Sequence, residues 1–101
     1  MASSKEYSEF VLDQCSGLTA RAMMGEYVLY YGGKVVGGIY DNRLLVKPTP
    51  SAVALMPETV REFPYEGAKE MLLVEDIEDR DFLNKLFSLM HEELPEPKKK
   101  K

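Results

Sequence analysis

Two pairs of turn residues, Gly32-Gly33 and Asp41-Asn42, divide the stretch from Ala20 to Lys47 and force it to double back on itself. The runs around them are Ala20–Met24, Tyr27–Tyr31, Lys34–Tyr40 and Leu44–Lys47. They are short and rich in β-branched and aromatic residues, a strand composition. Consecutive glycines can take φ > 0 at both positions, which a two-residue hairpin loop requires. Asp and Asn tolerate the same left-handed geometry and bond their own backbone, so Asp41-Asn42-Arg43 predicts a second turn. The outcome is an antiparallel meander. Gly37-Gly38 inside the third run predicts a bulge or a close approach by another backbone.

The flanks have a different period. Tyr7, Phe10, Val11 and Cys15 form one apolar stripe, predicting a helix over residues 5–16 that stops at Gly17. Pro48, Pro50 and Pro57 break the sheet rhythm, with a short helix expected over Ser51–Met56. Pro64-Tyr65-Glu66-Gly67 reads as a turn and Lys69–Glu75 as a fifth strand. A last helix runs from about Asp79 to Glu93, with Phe82, Leu83, Leu86, Phe87 and Met90 as its buried face. Pro95 ends it. The order α-β-β-β-β-α-β-α predicts an α+β fold, an antiparallel sheet of about five strands with helices packed on it. A chain of 101 residues suits a single domain that buries about 65% of its unfolded surface. That domain is expected over residues 1–97, followed by a disordered lysine tail at 98–101.

Composition narrows the function classes. One cysteine, Cys15, rules out an internal disulfide. The opening Met1-Ala2-Ser3-Ser4-Lys5-Glu6 has no apolar run behind a basic start, and no apolar run approaches the ~20 residues of a membrane helix. A soluble cytoplasmic protein without membrane contact is expected. Four of the 13 basic residues are Lys98–Lys101, so the rest of the chain sets nine basic against 17 acidic residues. An acidic body argues against tracking a nucleic-acid backbone, leaving only weak, salt-sensitive attraction by the tail. The acidic group Glu75, Asp76, Glu78, Asp79 and Asp81 reads as a solvated loop and helix start. No glycine follows Gly67 to make the turn of an EF-hand loop.

No catalytic set or cofactor site is legible. Cys15 sits on an apolar helix stripe and His91, the only histidine, lies near a helix C-terminus. One Cys and one His are too few for a transition-metal site within a chain. Gly32-Gly33-Lys34 resembles part of a phosphate-binding loop, but Val35 follows where a hydroxyl is needed, and the segment joins two strands. Two features stand out beyond this. Alternation puts Tyr27 and Tyr31 on one sheet face and Tyr30 on the other. Arg21, with Lys34 and Lys47, makes either a small basic spot on an acidic body or ordinary charge guarding a strand edge.

The segments Arg21-Ala22-Met23-Met24-Gly25-Glu26-Tyr27-Val28-Leu29-Tyr30, Gly33-Lys34-Val35-Val36 and Ile39-Tyr40-Asp41-Asn42-Arg43-Leu44-Leu45-Val46-Lys47 carry a family signature. It comprises an arginine before Met-x-Gly, a tyrosine-bearing strand, a Gly-Lys turn and an Asp-x-Arg-Leu-x-x-Lys hairpin. In this the chain resembles the TfoX (Sxy) N-terminal domain family over residues 20–48, with helices extending the likeness at both ends. Met24 stands where the family usually has Phe, and Leu45 where Tyr is common. Longer members continue into a second helical domain, whereas this chain is similar to the small stand-alone bacterial members. The resemblance implies an α+β fold, no catalytic residues and no cofactor, with Arg21, Gly25, Gly33, Asp41 and Lys47 serving turns and packing. The expectation is a non-enzymatic regulatory or protein-interaction domain that binds an unidentified protein, with homodimerisation an open option. Its candidate interaction surface is Arg21, Tyr30, Lys34 and Lys47, and its structural turn residues are Gly25, Gly32, Gly33 and Asp41. The alternatives are weak nucleic-acid binding through the tail, or a small-ligand or enzymatic role in a sheet pocket.

Overall fold

Backbone pairing follows the turn residues. The computed structural model describes residues 5–23, 26–64 and 67–94. Its elements are α1 (Lys5–Asp13), β1 (Leu18–Met23), β2 (Glu26–Tyr31), β3 (Lys34–Ile39), β4 (Leu44–Val46), α2 (Pro50–Leu55), β5 (Arg61–Glu62), β6 (Met71–Val74) and α3 (Arg80–Glu93). All strand pairs are antiparallel and the sheet order is β1-β2-β3-β4-β6-β5. This is the expected α+β architecture, with one extra strand. Two residues, Arg61 and Glu62, extend the sheet beyond β6. They lie between Pro57 and Pro64 and are too short to show a two-residue period.

The turns are formed as the sequence indicates. Gly32 and Gly33 have φ of 59° and 85°, and Asp41 and Asn42 have 55° and 57°. Tyr40 and Arg43 exchange both backbone hydrogen bonds around the second turn, at 2.9 and 3.0 Å. This is the mirror-image turn whose twist matches the flanking strands. Gly25, the Lys98–Lys101 tail and the centre of the Pro64–Gly67 turn lie outside the described residues.

Gly37 and Gly38 serve both anticipated purposes. Leu29 faces Gly37 while Tyr30 faces Val35, leaving Val36 as the extra residue of a bulge. A Cβ on Gly37 would lie 2.1 Å from the Leu45 carbonyl oxygen, and one on Gly38 would lie 2.5 Å from the Tyr40 ring. The backbone of β4 and the ring of Tyr40 therefore occupy the space that side chains would take.

The helices cover one sheet face. Phe87, Leu83, Leu86 and Met90 of α3 meet Leu29, Ile39, Leu44, Val46, Leu72 and Val74, all buried. Burial of apolar side chains at about 1.5–3 kcal/mol each is what holds the layers together. α1 ends earlier than its apolar stripe. After Asp13 the chain tightens into i→i−3 bonds, Gln14 N–H to Val11 at 3.1 Å and Cys15 N–H to Leu12 at 3.4 Å. Gly17 then turns it at φ 93°. Asp79 caps α3, its carboxylate accepting from the Phe82 N–H at 3.0 Å.

A side-chain clasp joins α2 to α3. The Glu93 carboxylate accepts from the Ser51 hydroxyl and, at 3.0 Å, from the Ser51 N–H. These bonds, the hydroxyl first, hold the Glu93 carboxyl below the usual glutamate range. The clasp is thus intact above the ordinary glutamate pKa and opens as pH falls through the lowered value. A carboxyl-detected NMR titration should find Glu93 titrating below a free glutamate, and Ser51→Ala, which removes the hydroxyl but keeps the backbone N–H, should raise it part of the way toward the ordinary range. An unchanged value in that variant would show that the Ser51 hydroxyl does not hold the carboxylate.

Candidate functional site

Strand alternation and register decide which polar side chains share the face that no helix covers. Arg21 lies opposite Val28, and Tyr30 is flanked by Thr19 and Val35. All point away from the helices. Lys47 follows Val46, whose side chain is on the helix side, and so returns to the same open face as Arg21 and Tyr30. Three members of the anticipated surface therefore share one sheet face, on β1, on β2 and just after β4.

Lys34 does not join them. It pairs with Tyr31, shares that residue's helix-side face and is only 7% exposed. Its Nζ donates to the carbonyls of His91 and Leu94 at 2.8 and 2.9 Å. The expected surface cation is a buried cap on the C-terminal end of α3. An ammonium is well matched there to the unpaired carbonyls and negative dipole end of a helix.

His91 is likewise drawn inward. Its ring approaches Tyr31 edge-on at 6.0 Å, and Nε2 lies 3.3 Å from the Gly32 carbonyl. Tyr31 also stacks against Phe87 at 6.0 Å. Cys15 is buried elsewhere, its Sγ donating to Asn84 Oδ1 at 3.2 Å. Burial pushes its thiol pKa up, away from a reactive thiolate. Asn84 and His91 are two turns apart on α3, about 10 Å, so Cys15 and His91 form no dyad. Among the described residues no three His, Cys, Asp or Glu side chains gather in a way that could hold a metal ion. No described helix is long and apolar enough to cross a membrane.

The open face becomes concave toward β4 and β6. A cavity of about 440 Å³ lies there, bounded by Val35, Gly37, Tyr40, Lys47, Pro48, Pro64, Ala68, Lys69, Glu70 and Met71. Gly37 lines it, and with no side chain at Gly38 the Tyr40 ring settles over that residue. Pro64, Ala68, Lys69 and Glu70 supply the opposite wall, and Leu45 between the two sides is fully buried despite lying on the helix-free face.

Charge around this cavity is uneven. Glu62 pairs with Arg43, and Glu70 lies 3.8 Å from Arg61. Among the described residues, neither Lys47 nor Lys69 pairs with a carboxylate. The acidic chain thus carries a local basic concavity. Sequence reasoning had Lys47 but missed Lys69 and the cavity itself. Residues between 35 and 48 build it jointly with Pro64 and residues 68–71, and neither group alone has a periodic or motif signal for it.

No protein-family model and no solved structure matches the chain. It is 37% identical over 105 aligned positions to the "Uncharacterized 12.7 kDa protein in trpE 5'region" of Spirochaeta aurantia, an alignment covering 100% of this chain and 91% of that protein. At that identity and coverage, the chain belongs to the same family as this bacterial protein.

Proposed function

We propose that the chain is a non-enzymatic, cytoplasmic interaction domain of regulatory type, which binds a partner protein on the helix-free face of its sheet. The observation that carries this reading is the convergence of Arg21, Tyr30 and Lys47 on that face, while the other face is closed by helices. Tyr30 is half-buried and Arg21 exposed, and tyrosine and arginine are among the residue types enriched where binding energy concentrates. Exposed Met23, at 52%, adds apolar area near the same edge. Likeness to the TfoX N-terminal domain supports a regulatory setting.

Affinity capture from a native, nuclease-treated lysate of the source organism tests it. The baits are the full chain, the chain lacking Lys98–Lys101, and the double variant Arg21→Glu/Lys47→Glu. A specific protein should be retained by the first two and lost by the third, with loss of at least about tenfold as for removal of interface charges. Capture that requires the lysine tail and disappears with nuclease would overturn the reading in favour of nucleic acid.

A further inference from the structure

We infer that the concave end of the open face is a recognition pocket for an acidic, apolar-flanked segment of the partner protein, with a partner carboxylate seated between Lys47 and Lys69. This rests on the reading of the chain as an interaction domain and adds the chemistry of what it holds.

The pocket's volume, about 440 Å³, is enough for one or two side chains of an incoming segment. Val35, Met71, Pro48 and Pro64 give it apolar walls, which favour a hydrocarbon side chain over a bare ion. The charge complementarity is local and specific. Of the nearby carboxylates, Glu62 pairs with Arg43, and Glu70, which lines the wall, lies 3.8 Å from Arg61, so the two lysines leave the lining with a net positive charge. Lys47 is half-buried and lines the wall, and a counter-charge there acts in a lower dielectric than water. The strongly acidic remainder of the chain penalises any acidic partner that does not reach this spot. Three cations, Arg21, Lys47 and Lys69, are too few to track a nucleic-acid backbone against that field.

The test uses the ¹⁵N-labelled full chain and two blocked octapeptides, one alternating glutamate with leucine and one with glutamine in place of glutamate. Amide shifts should change saturably at Val35, Lys47, Ala68 and Met71, and the glutamate peptide should bind at least about tenfold more tightly. Lys47→Gln and the exposed Lys69→Gln should each weaken it by about tenfold while α3 resonances stay in place, which separates lost binding from lost folding. Equal affinity for the two peptides, indifference to both variants, or shifts centred away from this pocket would overturn the inference. If it falls while partner capture still depends on Arg21 and Lys47, the interaction reading stands alone. If the pocket takes the peptide but capture ignores those residues, the interaction reading falls instead.

Discussion

Gly37→Ala is expected to lower stability by about 3 kcal/mol or more, enough to leave a sizeable unfolded fraction in a domain of ordinary stability. The added Cβ would stand 2.1 Å from the Leu45 carbonyl oxygen, 2.8 Å from the Val46 Cα and 3.0 Å from the Leu45 carbonyl carbon. All three are backbone atoms of the neighbouring strand, so no rotamer change can relieve the contact. β3 and β4 would have to separate, loosening a pairing whose residues Leu44, Leu45 and Val46 are all fully buried. Ordinary overpacking costs about 1–3 kcal/mol because side chains can give way, and here they cannot. Gly33→Ala is the control. No atom lies within 4 Å of its Cβ position, and only its φ of 85° opposes alanine, so about 1–2 kcal/mol is expected. Urea denaturation of both variants checks the pair. A Gly37→Ala midpoint no lower than that of Gly33→Ala would mean the strands are not in such close contact.

The contrast between these glycines shows what the sequence could reveal. A turn is a local device, so Gly32-Gly33 and Asp41-Asn42 announce their own geometry, and the structure realises it in full. The stripe of α3 is equally local, whereas α1 departs from its own: Val11 is buried, but Phe10 is 40% exposed and Ser8 takes a buried place. Gly37-Gly38 announced only that something comes close, without naming Leu45 or Tyr40, because the partner strand is chosen by the whole sheet. The cavity lies beyond local reading altogether, since its two walls are separate in the chain and meet only after β6 inserts between β4 and β5. One miss was legible in principle. Residues flanking a two-residue hairpin loop pair directly and share a face, so assigning Tyr31 to the same face as Tyr27 already assigned Lys34 to it. Charge suggested the surface for Lys34, whereas register fixed it inside. Among the proposed surface residues, the β1–β2 register puts Arg21 and Tyr30 on one face.

Lys34→Met is expected to destabilise the protein by about 2–3 kcal/mol and to fray the end of α3. Methionine keeps most of the length and apolar volume of the lysine stem, so the change removes mainly the ammonium. Two carbonyls, those of His91 and Leu94, then lose donors at 2.8 and 2.9 Å. Hydrogen bonds to a charged group are worth about 1.5–3 kcal/mol each, and a favourable helix-end charge adds up to about 1–2 kcal/mol. Against this stands the desolvation of a lysine only 7% exposed, which removal of the charge recovers in part. The loss wins because the orphaned carbonyls stay where they are, held by the helix and by Phe87 stacked on Tyr31. Since Lys34 lies directly after the Gly32-Gly33 turn, the same ammonium also ties that hairpin to α3, and His91 should lose its approach to the Gly32 carbonyl. Hydrogen exchange should therefore accelerate at Met90–Leu94, with the strands β4 and β6 unaffected below the global unfolding limit. If Lys34→Met stays within about 0.5 kcal/mol of the wild type, the ammonium contributes no more than methionine's packing. Protection lost evenly over the whole chain would point instead to the core beneath the hairpin.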